Sequence, residues 1–400
     1  MKVLSICVCV SLVAMVAGHA ALFIPPSRNA DDRNLPSFAG GRSPQTPCTC
    51  ANGLCPGDNV VHGTCPNGCD QGLRAGGGGQ PCLWFSQGCS IGCDKCATAA
   101  DGTAPIRGKA PHADKIGFRT RYCESTVEAN LPRRAWTMNV HAVEGSVEDS
   151  YRFNPWRRPG SAPVVNACGQ AGGKFERTPI GGDSVYTNTS LAHMGDFGSK
   201  LPASPDPARW AAGSEVDVAW GIRYNHGGGY QYRLCPVGEP LTEACFQRTP
   251  LEFVRSAHAL LWTSDMGADG PRNGTRLSLP GVWVDTGTTP PGSTWARNPI
   301  PRIADDNRGL ANASSCPGPT GRSGPGCVQF KPPCEEDTGP YPWSTDGSGQ
   351  GACSGDWTAG LITDKVKVPA GLKGRYVLGW RYDCEETAQV WLNCADVVIA

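Results

Sequence analysis

The sequence feature that most constrains the fold is a pair of strand-like runs separated by a histidine and three glycines. In Glu215–Ile222 apolar and polar residues alternate, which is typical of a half-buried β-strand. The residues that share one face of this run are Val216, Val218, Trp220 and Ile222. Tyr230–Leu234 favours a returning strand, and Cys235 follows it. We therefore predict a β-hairpin whose loop presents His226, with Gly227–Gly229 clearing side chains from around the imidazole.

The N-terminus has the pattern of a secretory signal peptide, assigned here to residues 1–18. Met1-Lys2 precedes the apolar run Val3–Ala17, which ends in small residues. Cleavage after Gly18 would make His19 the first mature residue, whereas the alternative cut after Ala20 would remove it. A free α-amino group, its own imidazole and a second imidazole form a three-nitrogen set that suits copper(II). The α-amino group loses its proton to a metal readily, because its free pKa is about 7.7–8.0.

Three segments, spread over almost the whole mature length, form one joint pattern. They are His19–Ala30, Asn225–Cys235 and Gln389–Val397. Jointly they resemble the lytic polysaccharide monooxygenases and their chitin-binding type-4 relatives. The first resembles the mature start of that family, the second the loop with its second copper histidine, and the third its last strand. The resemblance implies that His19 and His226 bind one copper ion.

The resemblance also implies roles for residues around the metal. Gln389 is expected just outside the metal shell, and Trp391 on the axial side of the copper. The family usually has Tyr or Phe where this chain has Trp391, and an indole has no oxygen to offer the metal. Trp391 is therefore expected to cap that side sterically. Tyr224, Tyr230 and Tyr232 are expected near the metal, where aromatic rings stack on sugars; core positions are the alternative.

The many short strands and the frequent Gly and Pro turns predict an all-β fold. Helical periodicity is almost absent, so we predict an antiparallel β-sandwich. The resemblance independently implies an immunoglobulin-like or fibronectin-like sandwich, with the terminal strand beside the N-terminal arm. The runs Lys365–Val368 and Gly374–Arg381 are predicted to close one sheet together with the terminal strand.

The cysteines indicate long loops held by disulfides. Of the 21 cysteines, Cys7 and Cys9 lie in the signal peptide, which leaves 19, a density typical of an oxidising compartment. Residues 19–400 are predicted to form one domain with a Cys-rich insert at about 48–96 and a Pro/Gly/Cys-rich loop at about 290–355. Disulfides explain the insert in a secreted chain, and zinc is the alternative. The odd count leaves at least one cysteine free, differently paired or used between chains.

Composition and motifs argue against several functional classes. Lys+Arg and Asp+Glu number 36 each, so nothing indicates binding to nucleic acid or to an anionic membrane. After the signal peptide no apolar run is long enough to cross a bilayer. The adjacent acids Glu335-Glu336 and Glu385-Glu386 point to opposite faces of a strand, which argues against a glycosidase pair. Three glycosylation sequons are consistent with secretion, at Asn188, Asn273 and Asn312.

These observations predict a secreted, monomeric, copper-dependent monooxygenase. Its expected substrate is an insoluble polysaccharide, chitin or cellulose-like, and an external donor supplies electrons. One alternative hypothesis is a noncatalytic module that binds chitin or a related glycan, and another is a cystine-rich structural wall protein. The alternative metal ligands are His62, His112, His193 and His258.

Overall fold

The computed structural model describes residues 19–30, 83–86, 155–173, 186, 188–262, 274–301, 303–304, 327–328, 333, 353, 360–385 and 389–400. The strands are β1 His19–Ile24, β2 Trp84–Ser86, β3 Gln170–Ala171, β4 Ala208–Trp210, β5 Glu215–Tyr224, β6 Gly229–Pro236, β7 Glu252–Phe253, β8 Ala259–Trp262, β9 Arg276–Ser278, β10 Trp283–Val284, β11 Trp295–Arg297, β12 Ile303–Ala304, β13 Cys327–Val328, β14 Gly360–Lys367, β15 Gly374–Asp383 and β16 Val390–Ile399. Within these ranges the α-helical content is one short helix, α1 Glu243–Phe246, with 3-10 turns at Pro155–Arg157, Gly198–Lys200 and Arg255–Ala257. Of the helices described, none has the length and apolar character needed to span a bilayer.

The described strands form two main sheets. The first has six strands in the order β1-β5-β14-β8-β9, with β7 also beside β14. The second has eight strands in the order β10-β11-β6-β15-β16-β2-β3, with β4 also beside β16. The pairings are antiparallel apart from that of β4, which runs parallel to β16. A small separate sheet contains β12 and β13.

Side chains from the two main sheets meet in one hydrophobic core. The first sheet contributes Val218, Trp220, Ile222, Leu260 and Ile362, and the second contributes Tyr230, Tyr232, Leu234, Leu378, Trp380, Tyr382 and Trp391. Val216 packs against the same cluster, so the face predicted for the first alternating run is confirmed. Burial of each large apolar side chain contributes roughly 1.5–3 kcal/mol. The predicted all-β, antiparallel sandwich is confirmed.

The two strands on either side of His226 do not form the predicted hairpin. β5 pairs with β1 and β14, whereas β6 pairs with β11 and β15. The intervening loop therefore carries the chain from one sheet to the other, across roughly 10 Å. Gly227 and Gly228 have φ of 62° and 98°, a backbone conformation that glycine adopts without a Cβ clash. Both strands exist as predicted, but each buries its apolar face against the other sheet instead of pairing with its neighbour in sequence.

The C-terminal strands are also divided between the sheets. β14 pairs with β5 and β8 in the first sheet, while β15 and β16 pair with each other in the second. The prediction that the three strands close one sheet is therefore wrong. Two disulfides lie within the described residues, Cys168–Cys394 and Cys235–Cys245, and Cys353 is also disulfide-bonded.

The two predicted loop regions are described only in part. Of the Cys-rich insert at about 48–96, only residues 83–86 lie inside the described ranges, and Trp84–Ser86 forms β2 in the second sheet. The predicted loop at about 290–355 begins with ordered structure, because Trp295–Arg297 forms β11 and pairs with β6. The first part of this loop therefore belongs to the sandwich. Most of its remainder lies outside the described residues.

The outer face of β6 and β15 carries a network of buried ion pairs. The side chains of Arg233 and Arg381 are 0% exposed. Glu243 accepts hydrogen bonds from both guanidinium groups, at 2.6, 3.0 and 2.9 Å. Asp383 accepts from Arg381 Nε at 2.6 Å and from the backbone N–H of Gly160 at 2.8 Å. Buried charges are tolerated when they are paired and hydrogen-bonded in this way.

Glu243→Gln is expected to make the protein less stable at neutral pH and less sensitive to acid. Burial by itself would raise the pKa of Glu243, but the charges and hydrogen bonds of Arg233 and Arg381 outweigh it and hold this pKa at about 2, below the ordinary 4.5. The resulting stabilisation is therefore complete above pH 4.5 and is lost as the pH falls towards about 2.

Urea denaturation across that pH window measures the effect. The free energy of unfolding of the native chain should fall by on the order of 3 kcal/mol through this group. The dependence should be shallower in Glu243→Gln. Glu239→Gln is the matched control, because the Glu239 side chain is 45% exposed and pairs with Arg248 at the surface. Equal pH dependence in the native chain and in Glu243→Gln would contradict the assignment.

Candidate metal site

His226 lies in the loop Asn225–Gly228 between β5 and β6, and its side chain is only 3% exposed. Backbone contacts from two other segments fix this loop. The N–H of Glu385 donates to the carbonyl oxygen of His226 at 3.1 Å, and the N–H of Asn298 donates to that of Gly228 at 2.8 Å. The imidazole is therefore attached to a backbone held from both sides.

Two asparagines and a tyrosine hold the same loop through their side chains. Asn298 donates from Nδ2 to Asn225 Oδ1 at 2.9 Å and to Tyr382 Oη at 3.2 Å. Asn225 Oδ1 also accepts from the N–H of Gly227 at 2.9 Å, and Tyr382 Oη donates to the carbonyl of Gly227. Asn225 Nδ2 donates to the carbonyl oxygen of Ile300 at 2.9 Å. A buried network that is hydrogen-bonded in this way favours one loop conformation.

The glycines after His226 allow close packing. A Cβ on Gly228 would lie 2.0 Å from the carbonyl oxygen of Asp383, and one on Gly229 would lie 2.2 Å from the ring of Trp156. Both distances are far shorter than any real Cβ contact. These two positions therefore let β15 and Trp156 approach the loop. The prediction that Gly227–Gly229 clear side chains from around the imidazole stays a prediction.

His19 begins β1, and its backbone lies opposite Tyr224 in the pairing of β1 with β5. Cα atoms of such partners are roughly 4.5–5.5 Å apart. Tyr224 precedes His226 by two residues. The structure therefore brings the backbones of both predicted ligands to the same end of the sandwich, although they are far apart in sequence.

β1 also packs against the terminal strand β16. The N–H of Leu22 donates to Asn393 Oδ1 at 2.8 Å. Further on, Arg28 binds Asp396 through Nε at 2.8 Å and through Nη2 at 2.7 Å. The two contacts show that the start of β1 lies towards the start of β16. The expectation that the terminal strand lies beside the N-terminal arm is confirmed.

Gln389 lies just before β16 and is 2% exposed. The N–H of Cys384 donates to the carbonyl oxygen of Gln389 at 3.2 Å. The next N–H along the chain, that of Glu385, donates to His226. Two successive amides therefore join the backbones of Gln389 and His226, which lie at the same end of the sandwich. The role of Gln389 outside a metal shell stays a prediction.

Trp391 is fully buried in the core near the start of β16. Its ring stacks on Phe85 with the centroids 4.4 Å apart and the planes at 29°. Phe85 belongs to β2, which pairs with β16 at these residues. Trp391 is therefore held by a stacked partner at the His19 end of β16. Its role as an axial cap stays a prediction.

Tyr230 and Tyr232 lie in the core and are 0% exposed. Their hydroxyls face Asp364 Oδ2 at 2.8 and 3.4 Å. Burial raises the pKa of both phenols well above the ordinary value, and the charge of Asp364 raises it further. The prediction that they stack on sugars is wrong for these two rings, because neither has a face open to solvent. Tyr224, whose backbone pairs with His19, stays a prediction.

The other histidines have separate surroundings. His258 is 1% exposed, and its Nδ1 lies 2.8 Å from Asp364 Oδ1 in the core. The His193 side chain is 68% exposed, with Nδ1 3.8 Å from Asp196. His62 and His112 lie outside the described residues. Among the side chains that the structure describes, no three His, Cys, Asp or Glu residues are grouped as a metal site. The predicted site is of another kind, since it needs two imidazoles and an amine.

The sequence did not predict the role of Asn298 in holding the His226 loop, because a single Asn in a Pro-rich run forms no recognisable pattern.

Asn298→Ala is expected to destabilise the loop that carries His226 by about 1–3 kcal/mol, because buried hydrogen-bonding groups lose their partner. Exchange of the Gly227 amide hydrogen should become about tenfold faster, and the His226 ring resonances should shift in NMR spectra. Asn166→Ala is the matched control, since Asn166 bonds Cys168 and Ser199 elsewhere. Unchanged His226 resonances in Asn298→Ala would contradict this role.

Comparison with solved structures finds partial likenesses. The chain is 17% identical to a lytic polysaccharide monooxygenase AA15 from Thermobia domestica in the Cu(I) state, over 48% of this chain and 62% of that chain, with a TM-score of 0.21. It is 12% identical to an AA10 lytic polysaccharide monooxygenase from Streptomyces lividans, over 50% and 64%, with a TM-score of 0.22. It is 11% identical to a chitin binding domain from Burkholderia pseudomallei, over 96% and 100%, with a TM-score of 0.31.

The chain has these likenesses at TM-scores of 0.31 and below, so they carry no argument about its fold or its function. It spans 62% and 64% of the lengths of the two monooxygenases. No protein-family model matches the chain, and no curated protein matches it. With identities and TM-scores this low, function has to be argued from the residues of the site.

Proposed function

We propose that the protein is a secreted, monomeric, copper-dependent monooxygenase that cleaves an insoluble polysaccharide oxidatively. The observation that carries the proposal is the pairing of β1 with β5, in which the backbone of His19 lies opposite Tyr224, two residues before His226. Secretion is proposed because the N-terminal residues match a signal peptide.

The available donors fit copper. The proposed ligands are the imidazoles of His19 and His226 together with the α-amino group that cleavage after Gly18 would create. Imidazole and amine nitrogens are ligands that copper(II) accepts in planar arrangements. His226 is attached to a loop with a fixed backbone, which supports a preorganised ligand.

When bound and reduced, copper would supply the activation of oxygen that oxidises a C–H bond next to the glycosidic link. Transfer of one oxygen atom from O2 to that carbon consumes two electrons and two protons and releases the other oxygen as water. The external donor supplies the electrons.

The protein itself holds the proposed ligands in position and excludes water from the site. Asn298 and Tyr382 hold the loop of His226 in one conformation. Gln389 and the indole of Trp391 would lie beside the proposed copper site, where Trp391, which has no oxygen ligand to offer, would exclude water sterically and Gln389 would remain outside the set of ligands.

The proposed substrate is chitin, cellulose or a related wall glycan. Tyr224 is the remaining candidate for a sugar contact beside the metal, since its backbone is next to that of His19.

A noncatalytic glycan-binding module is the second candidate. The buried indole of Trp391, stacked on Phe85, favours this alternative, because it stands where the resembling family usually carries Tyr or Phe. The same fold can serve binding without catalysis.

Two measurements test the proposal together. Mass spectrometry of the secreted protein should find His19 as the first residue. The copper-loaded protein with a reductant should release oxidised sugars from chitin or cellulose, detected by mass spectrometry. A mature chain that begins at Ala21 would remove the copper site. If the protein sediments with the glycan but no oxidised products appear, the binding module is favoured. If the protein neither sediments with the glycan nor releases oxidised sugars, both candidates are contradicted.

A further inference from the structure

A cleft of about 870 Å³ opens on the outer face of the second sheet. Its lining comes from residues 160–167, from residues 239–244 and Gln247 after β6, and from Phe197, Ser199, Lys200, Thr289 and Arg381. Arg381 lies between the two longer segments, because it donates to the carbonyl oxygen of Ala162 at 2.9 Å and to Glu243 at 2.9 Å. This volume is within the range of sites for small molecules, roughly 300–1,000 Å³.

Covalent links hold both walls of the cleft. The disulfide Cys235–Cys245 ties α1 to β6, and the disulfide Cys168–Cys394 ties the end of the other wall to β16. A cavity held in this way needs little ordering when a ligand enters. The cleft is therefore already formed in the folded chain.

The charges beneath the cleft are balanced within the protein. Arg233 and Arg381 are matched by Glu243 and Asp383, and all four are joined by hydrogen bonds of 2.6–3.2 Å. At the rim Glu239 is paired with Arg248. A charged ligand would have to compete with these pairs, whereas an uncharged ligand leaves them intact.

Polar and apolar groups are both left for a neutral ligand. Glu243 accepts three hydrogen bonds from the two arginines, and a carboxylate accepts about four, so one acceptor position remains among the described contacts. The side chains of Gln247 and Lys200 line the cleft and make no hydrogen bond with other described residues. Lys200 is exposed to solvent, so its charge stays hydrated and it can act as a hydrogen-bond donor to a neutral ligand. Val164 and Leu241 add apolar surface. Hydroxyl groups and C–H faces of sugar rings match this combination.

We propose that this cleft is a binding site for a soluble, uncharged oligosaccharide, separate from the site at His226. It lies on the outward face of β6 and β15, whereas Tyr230 and Tyr232 project from β6 into the core. Binding here requires neither copper nor processing of the N-terminus.

Isothermal titration with chitotetraose and cellotetraose tests this proposal, using the full mature chain in the presence of a chelator. At least one tetraose should bind with one-to-one stoichiometry. Gln247→Ala and Lys200→Ala should each weaken binding by about tenfold, since each removes a hydrogen bond to the ligand. Val164→Trp should fill the cleft and abolish binding. Lys365→Ala is the matched control for Lys200→Ala, because Lys365 lies on the first sheet and its side chain is 38% exposed.

Several results would overturn the proposal. The first is that neither tetraose binds. The second is that Gln247→Ala and Lys200→Ala bind a tetraose as tightly as the native chain does. The third is that a tetramer of glucuronate binds more tightly than the uncharged tetraoses. His226→Ala should bind the tetraose as the native chain does. If that variant loses copper binding and still binds the tetraose, the cleft is a binding site independent of the proposed copper site.

Discussion

Replacing His226 by Ala is expected to lower the affinity for copper(II) by at least about 100-fold. Changes to groups that only support a metal ligand already reduce affinity by about 10–100-fold, and His226 is proposed as a direct ligand. The measurement is a copper(II) titration of the mature chain that begins at His19. The native chain should take up one ion tightly, and His226→Ala should not.

His193→Ala is the matched control for this prediction. The substitution is the same, but the His193 side chain is 68% exposed, and its Nδ1 lies 3.8 Å from Asp196 Oδ2. Copper affinity should stay at the native value. Tight, stoichiometric copper in His226→Ala would remove His226 from the proposed ligands, and a loss in His193→Ala would transfer the role to His193. Circular dichroism of both variants checks that the sandwich is retained.

Arg381→Met is expected to lower the free energy of unfolding by about 3–5 kcal/mol, because it leaves the buried Asp383 and the largely buried Glu243 without one of their partners. The Arg381 side chain is fully buried and bonds both carboxylates, at 2.6 and 2.9 Å. Burial by itself would lower the pKa of Arg381, but the charges of Asp383 and Glu243 raise it above its ordinary value, so the group stays charged. Met keeps much of the aliphatic volume and removes the charge.

Lys365→Met provides the comparison for Arg381→Met. Lys365 faces Asp217 at 3.5 Å, and the two side chains are 38% and 58% exposed. Pairs of this kind contribute about 1 kcal/mol or less. Urea denaturation of both variants at neutral pH gives the two losses. Losses of similar size would mean that the network beside α1 contributes no more than a surface ion pair.

Local patterns in the sequence predicted strands well and strand partners badly. The alternation in β5 identified both the strand and its buried face, because successive side chains of a strand point to opposite sides whatever the strand pairs with. The predicted hairpin failed because neighbouring strands can also face each other across a core. Alternation does not distinguish these two arrangements.

For related reasons, the sequence did not predict where Tyr230, Tyr232 and Asn298 lie relative to the site. β6 is buried on both faces, with Tyr230 and Tyr232 inside the sandwich and Arg233 outside beneath α1. Two buried faces leave no contrast between polar and apolar positions, so the sequence left both a surface and a core position open for these tyrosines. Asn298 reaches the loop of His226 from a distant segment, and only the fold brings it there.

The sequence by itself determined the all-β class, the strand that leads to His226, the cysteine-rich character and the signal-like N-terminus, since each depends on composition or on neighbouring residues. The tertiary structure alone decided that β1 and β5 pair with His19 opposite Tyr224, that Asn298 and Tyr382 hold the His226 loop, and that a cleft lies over Arg381. These features depend on contacts between residues far apart in the chain, whose geometry is set by how the two sheets pack.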